Sequence, residues 1–63
     1  MFYFKKNNIV INKTQACKDI GITRVYLTNI LNKRIACSKV VAFCITKYLD
    51  NNAEIEDYFE RKT

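Results

Sequence analysis

The chain holds one glycine, Gly21, and no proline. That scarcity is its strongest constraint. An all-β fold of this size changes direction through many special turns, and those turns draw on Gly and Pro. The pattern predicts an all-α fold, a compact bundle of four to five short helices. Hydrophobic residues make up 49% of the chain, enough for a core, which argues against disorder. At 63 residues a single domain is expected, residues 1–63. Its core is small and its stability margin thin, so tight helix packing or a partner subunit is expected.

Gly21 separates two helical patterns. Before it, Asn12 is a cap whose side-chain oxygen can accept from free N–H groups of the next turn. Residues 13–20 then read as a short helix with Ala16, Cys17 and Ile20 on one stripe. A glycine after the last helical residue takes positive φ without steric cost. Ile22 fills the turn and Thr23 caps a second helix over residues 24–31 or 32. Leu27, Ile30 and Leu31 face its core, with Val25 at the margin. Residues 33–37 form a loop, in which Cys37 reads as an ordinary loop residue. Ser38 caps a further helix over residues 39–49. Val41, Cys44, Ile45, Tyr48 and Leu49 fall at i, i+3, i+4, i+7 and i+8, a helical core face. Asp50, Asn51 and Asn52 break the pattern. Asn51 with Glu54 suits a capping box, and an acidic helix is expected over residues 53–61, with Ile55, Tyr58 and Phe59 on one side.

The N-terminal segment reads two ways. Phe2-Tyr3-Phe4 suits a short helix closing over the core. Alternatively residues 2–5 and 9–12 pair as a hairpin across Asn7-Asn8. The helix is the favoured expectation.

Charge is divided along the chain. Nine basic residues face the single Asp19 through residue 49, and two basic face five acidic residues after it. A basic body with an acidic tail suits a polyanionic partner. The plainer alternative is solubility. Cys17, Cys37 and Cys44 are odd in number, with no CxxC and no histidine. A disulfide framework and a metal site are therefore not expected, and the thiols suit a reduced, cytoplasmic protein. The longest apolar run, residues 40–45, falls far short of the roughly 20 residues of a membrane span. No catalytic constellation is visible: there is no histidine, no Gly-rich phosphate loop and no serine with a partnered base. A non-enzyme without cofactors is expected.

Residues 12–34, with their cap, small Cys17, Gly21 after Ile20, Thr23 cap, Leu27, the Ile30-Leu31 pair and the Asn32-Lys33-Arg34 exit, resemble the helix-turn-helix of Cro/C1-type (XRE-like) repressors. Lys33 stands where that family has a glycine. Val41, Ala42, Ile45 and Leu49 continue the likeness, so it covers about residues 12–49. It implies a lambda repressor-like fold with a helix-turn-helix over about residues 12–32. It also implies a sequence-specific regulator of transcription that binds double-stranded DNA, of phage or mobile-element type, pairing half-sites as a homodimer. A chain this short resembles a Cro-like minimal regulator, or an excision or transcription accessory factor, more than an inducible repressor.

The residues carry their own chemistry beside that resemblance. A major groove admits one helix, with its N-terminal half toward the bases. Arg24 suits guanine or a phosphate, Asn29 suits adenine, and Val25 suits a thymine methyl, with Tyr26 and Thr28 as further base contacts. Lys13, Thr23, Asn32, Lys33 and Arg34 sit where phosphates would pass. The plain alternatives are a solvated helix face for Arg24 and Asn29, core packing for Tyr26, and solvation for Lys5 and Lys6. A rival function is a small adaptor or inhibitor that binds a host protein through Phe43, Tyr58 or Phe59. A weaker one is a non-specific nucleic-acid binder, including of RNA.

Overall fold

A computed structural model describes residues 1–62. Four helices pack against a two-stranded sheet, so the chain is mostly helical but not all-α. Strand β1 spans Phe2–Phe4, followed by helices α1 (Lys13–Ile20), α2 (Arg24–Leu31), α3 (Lys39–Leu49) and α4 (Ile55–Tyr58), and by strand β2 (Phe59–Arg61).

The three longer helices start at the residues that can cap them. Asn12 Oδ1 accepts from Gln15 N at 3.1 Å, Thr23 Oγ1 from Tyr26 N at 3.1 Å and Ser38 Oγ from Val41 N at 3.4 Å. Each bond satisfies a donor that a helix N-terminus otherwise leaves free. Gly21 closes α1 at φ +87°, and its N–H donates to Cys17 O at 2.8 Å. A Cβ built there would meet nothing within 4 Å. The need for glycine is therefore one of backbone dihedral, not of space.

The N-terminus corrects the expectation of a helix and also the hairpin alternative. Residues 2–4 are extended, but their partner is the far end of the chain. Phe2 lies opposite Arg61, Tyr3 opposite Glu60 and Phe4 opposite Phe59, antiparallel. On its other side β1 meets the loop before α3, where Phe2 and Cys37 exchange two backbone bonds of 2.9 Å. Aromatic residues favour such a surface because one face is buried against cross-strand neighbours. The Phe4 and Phe59 rings meet edge to face at 5.3 Å, and Tyr58 stacks on Phe4 at 6.5 Å.

The same pairing corrects the expected helix over residues 53–61. Only Ile55–Tyr58 is helical. Its capping box is formed by Glu54 and Asp57 rather than by Asn51 and Glu54. Phe59 then turns extended, at φ −129° and ψ 152°. An extended Phe59 reaches the ring of Phe4, and that long-range contact overrides a weak local helical preference.

The core is Phe4, Ala16, Cys17, Leu27, Ile30, Cys37, Ala42, Ile45, Ile55 and Phe59. Helix α1 packs on α2 and α3, and the buried residues include the small Ala16 and Cys17 on α1 and Ala42 on α3. Helix α3 is accordingly turned slightly from the expected face. Ala42, Ile45 and Thr46 are buried, whereas Val41, Cys44, Tyr48 and Leu49 are half-buried. Val25, expected at the core margin, is 72% exposed, and Leu31 is half-buried.

Cys37 is no ordinary loop residue. It is fully buried, and burial pushes its thiol from 9.0 up to about 11 against a smaller pull from the N-terminal ammonium. The folded state holds this proton more tightly than the unfolded chain. Stability therefore falls as pH rises from about 9 towards 11.

Thr46 is the one buried polar side chain whose oxygen lacks a partner among the described residues. Its hydroxyl is desolvated with no compensating bond, which costs about 1–3 kcal/mol. Thr46→Val keeps the shape and removes that oxygen. It is expected to stabilise the fold by about 1 kcal/mol, read as a higher urea midpoint at an unchanged slope.

Candidate functional site

Helix α2 buries Leu27 and Ile30, leaves Arg24 and Val25 exposed and holds Thr28 and Asn29 half-buried. Positions i, i+1, i+4 and i+5 of a helix share a face. Arg24, Val25, Thr28 and Asn29 occupy those positions and together line one shallow depression of about 340 Å³. Four of the five residues expected at bases are thus brought together. Tyr26 is placed differently: it packs against the core and does not line the depression.

The surface formed by the four is chemically mixed. Arg24 offers guanidinium donors, Asn29 an amide with donors and an acceptor, Thr28 a hydroxyl and Val25 two methyls. No carboxylate lines the depression. Helix α2 is held in register from both ends. Thr23 grips its first turn, and at its end Asn32 N donates to Thr28 O and Arg34 N to Asn29 O, each at 2.9 Å.

The residues expected at phosphates divide. Lys13, Asn32 and Lys33 come together in a second cleft, with Phe4, Lys6, Asn7, Asn8, Ile9 and Leu31. Thr23 and Arg34 are exposed but lie outside it. Lys33 adopts φ +64°, the left-handed conformation for which a glycine is the easy choice. Its Nζ donates to Asn7 Oδ1 at 2.6 Å and ties the loop after β1 to the end of α2. Nothing local in the sequence joins Lys6, Asn7 and Asn8 to the end of α2, because 26 residues separate the hydrogen-bonded pair.

The aromatic residues suggested for a protein partner do not form one surface. Phe59 is 1% exposed, a correction to its expected availability, and half-buried Tyr58 lies against Phe4. Phe43 is 50% exposed on α3, with the Lys47 ammonium 5.4 Å from its ring centre. Lys47 also donates to Ala53 O at 2.7 Å, which holds that cation to the turn after α3.

All three cysteines are free thiols. Among the described residues no cluster of His, Cys, Asp or Glu is suited to hold a metal ion. No described helix is long and apolar enough to cross a membrane. The chain matches no protein-family model, no curated protein and no solved structure.

Proposed function

We propose that this protein is a sequence-specific regulator that binds double-stranded DNA, with α1, the Gly21 turn and α2 acting as a helix-turn-helix. The observation that carries the reading is the row Arg24, Val25, Thr28 and Asn29, gathered in one shallow depression on a short, doubly anchored helix. Those four side chains supply the groups that discriminate base pairs in a major groove: a guanidinium for guanine, an amide for adenine and methyls for thymine. Tyr26 joins them only at the edge of the contact. Lys13, Thr23, Asn32, Lys33 and Arg34 take the phosphates that flank the groove.

On this reading the protein acts in the cytoplasm as a Cro-like homodimer on two half-sites, in a phage or mobile element, as the family resemblance implies. Dimerisation supplies the affinity that one small module lacks. The test is selection from a random pool of duplexes with the full-length protein. A palindromic motif with half-sites one helical turn apart is expected. Arg24→Ala and Asn29→Ala are each expected to cost about 1–3 kcal/mol at the preferred site and to relax one position of the motif. If both variants select the wild-type motif with wild-type affinity, α2 does not read the bases.

A second reading rests on Phe43. Together with Val40, 72% exposed, it gives α3 an apolar outer side that DNA binding does not use. An adaptor or inhibitor of a host protein would dock there. The selection separates the two, since that protein enriches no duplex.

A further inference from the structure

The cleft between the loop after β1 and the end of α2 has a composition that base contact does not require. Three lysines, Lys6, Lys13 and Lys33, and three asparagines, Asn7, Asn8 and Asn32, line a space of about 380 Å³. No carboxylate lines it. The acidic residues sit elsewhere: Asp19 receives a bond from Gln15 Nε2 at 3.0 Å, and the others lie at residue 50 and beyond.

Like charges are not gathered without cost, and the chain holds this gathering in place. Among the described residues the two non-glycine residues with positive φ, Asn8 at +58° and Lys33 at +64°, both belong to it. The Lys33–Asn7 hydrogen bond ties its two walls. It uses one of the three ammonium protons of Lys33 and leaves two free to donate. Lys13 opens α1, so the positive end of that helix lies at the same place. Ammonium and amide groups lining one space that holds no carboxylate suit a tetrahedral oxyanion.

We propose that this cleft is a phosphate-binding site, formed by Lys6, Lys13 and Lys33 with the amides of Asn7, Asn8 and Asn32. A phosphate group reaches it either as part of a duplex backbone or on a free phosphorylated ligand. The first source rests on the proposed DNA-binding reading. There the geometry is favourable: the eight residues of α2 span about 12 Å, comparable to the roughly 12 Å width of the major groove. A helix whose first turn meets the bases then brings its far end against a bordering strand. The loop at residues 6–8 becomes a clamp that sets how deeply α2 sits.

The experiment titrates full-length ¹⁵N-labelled protein with inorganic phosphate at constant ionic strength, and separately with the duplex selected above or, failing selection, a mixed-sequence duplex. Lys6→Gln is the variant, because Lys6 is exposed and its loss leaves the core untouched. Saturable shifts at the amides of residues 6–8, 13 and 32–33, weakened about tenfold or more by Lys6→Gln, support the site. Lys6→Gln is also expected to weaken duplex binding evenly across sequences and to lower the salt slope by about one. Phosphate shifts without duplex binding support the site with a free phosphorylated ligand as its source and overturn the DNA reading. Duplex binding with no phosphate shift in the cleft, and unchanged by Lys6→Gln, overturns the site and leaves the DNA reading standing. Shifts spread over all lysines without saturation also overturn it.

Discussion

Phe59→Ala is expected to lower the stability of the fold by about 3–5 kcal/mol and to leave much of the protein unfolded at 37 °C. Phe59 is 1% exposed and is the largest fully buried side chain of the core. It stands directly opposite Phe4 in the sheet and meets that ring edge to face. Truncation removes the apolar burial, the aromatic pair and the reason for residues 59–61 to be extended. A domain this small has a total stability near the lower end of about 5–15 kcal/mol, so the loss is close to the whole. Denaturant unfolding followed by far-UV circular dichroism measures it. The control is Glu60→Ala on the same strand, exposed and expected to change stability by less than about 0.5 kcal/mol. Equal midpoints for the two variants would show that residues 59–61 do not close on β1.

That expectation would not follow from the sequence, and the reason is physical. Helices α1, α2 and α3 were legible because their signals are local. A cap lies three residues from the donor it satisfies, Gly21 ends α1 at its own dihedral, and apolar residues recur within one or two turns. Strands β1 and β2 carry no such signal. Phe2 and Arg61 pair across nearly the full length of the chain, and each segment alone looks helical enough. Ile55, Tyr58 and Phe59 even fall at helical spacing. Only the contact between Phe4 and Phe59 decides against it.

The candidate site divides the same way. The row Arg24, Val25, Thr28 and Asn29 follows from helical periodicity once Leu27 and Ile30 are placed inside. The burial of Tyr26 follows less directly, because an amphipathic tyrosine between the two faces goes where its neighbours leave space. Lys6 and its loop were out of reach, since they join Lys33 through tertiary structure alone. Lys33 itself shows how the two levels meet. The backbone at Lys33 takes the dihedral that glycine favours. An L-residue in that conformation costs roughly 1–2 kcal/mol. The hydrogen bond to Asn7 and the free ammonium protons are what a glycine would lack.

Affinity for duplex DNA is expected to fall steeply with salt. A protomer that neutralises about four phosphates releases their counterions, and log K then falls against log salt with a slope near −3.6. Between 50 and 200 mM salt that is a loss of roughly 150-fold, and a dimer on two half-sites doubles the slope. The cations available for phosphates near α2 are Lys6, Lys13, Lys33 and Arg34. Their contributions are separable. Lys33→Gln and Lys6→Gln each remove one phosphate partner and should lower the slope by about 0.9. Arg24→Ala should instead cost affinity mainly at the preferred sequence, if its guanidinium reads a base. The acidic end gives the control: Glu56→Gln changes net charge by the same amount as Lys33→Gln, but on α4. If net charge alone drove association, the two variants would change the slope equally and in opposite senses. If phosphates dock at the end of α2, only Lys33→Gln changes it. A slope near zero for the wild-type protein, with sequence-specific binding intact, would leave the bases contacted and the phosphates not. That outcome would remove Lys13, Lys33 and Arg34 from the interface and require α2 to enter the groove by its first turn alone.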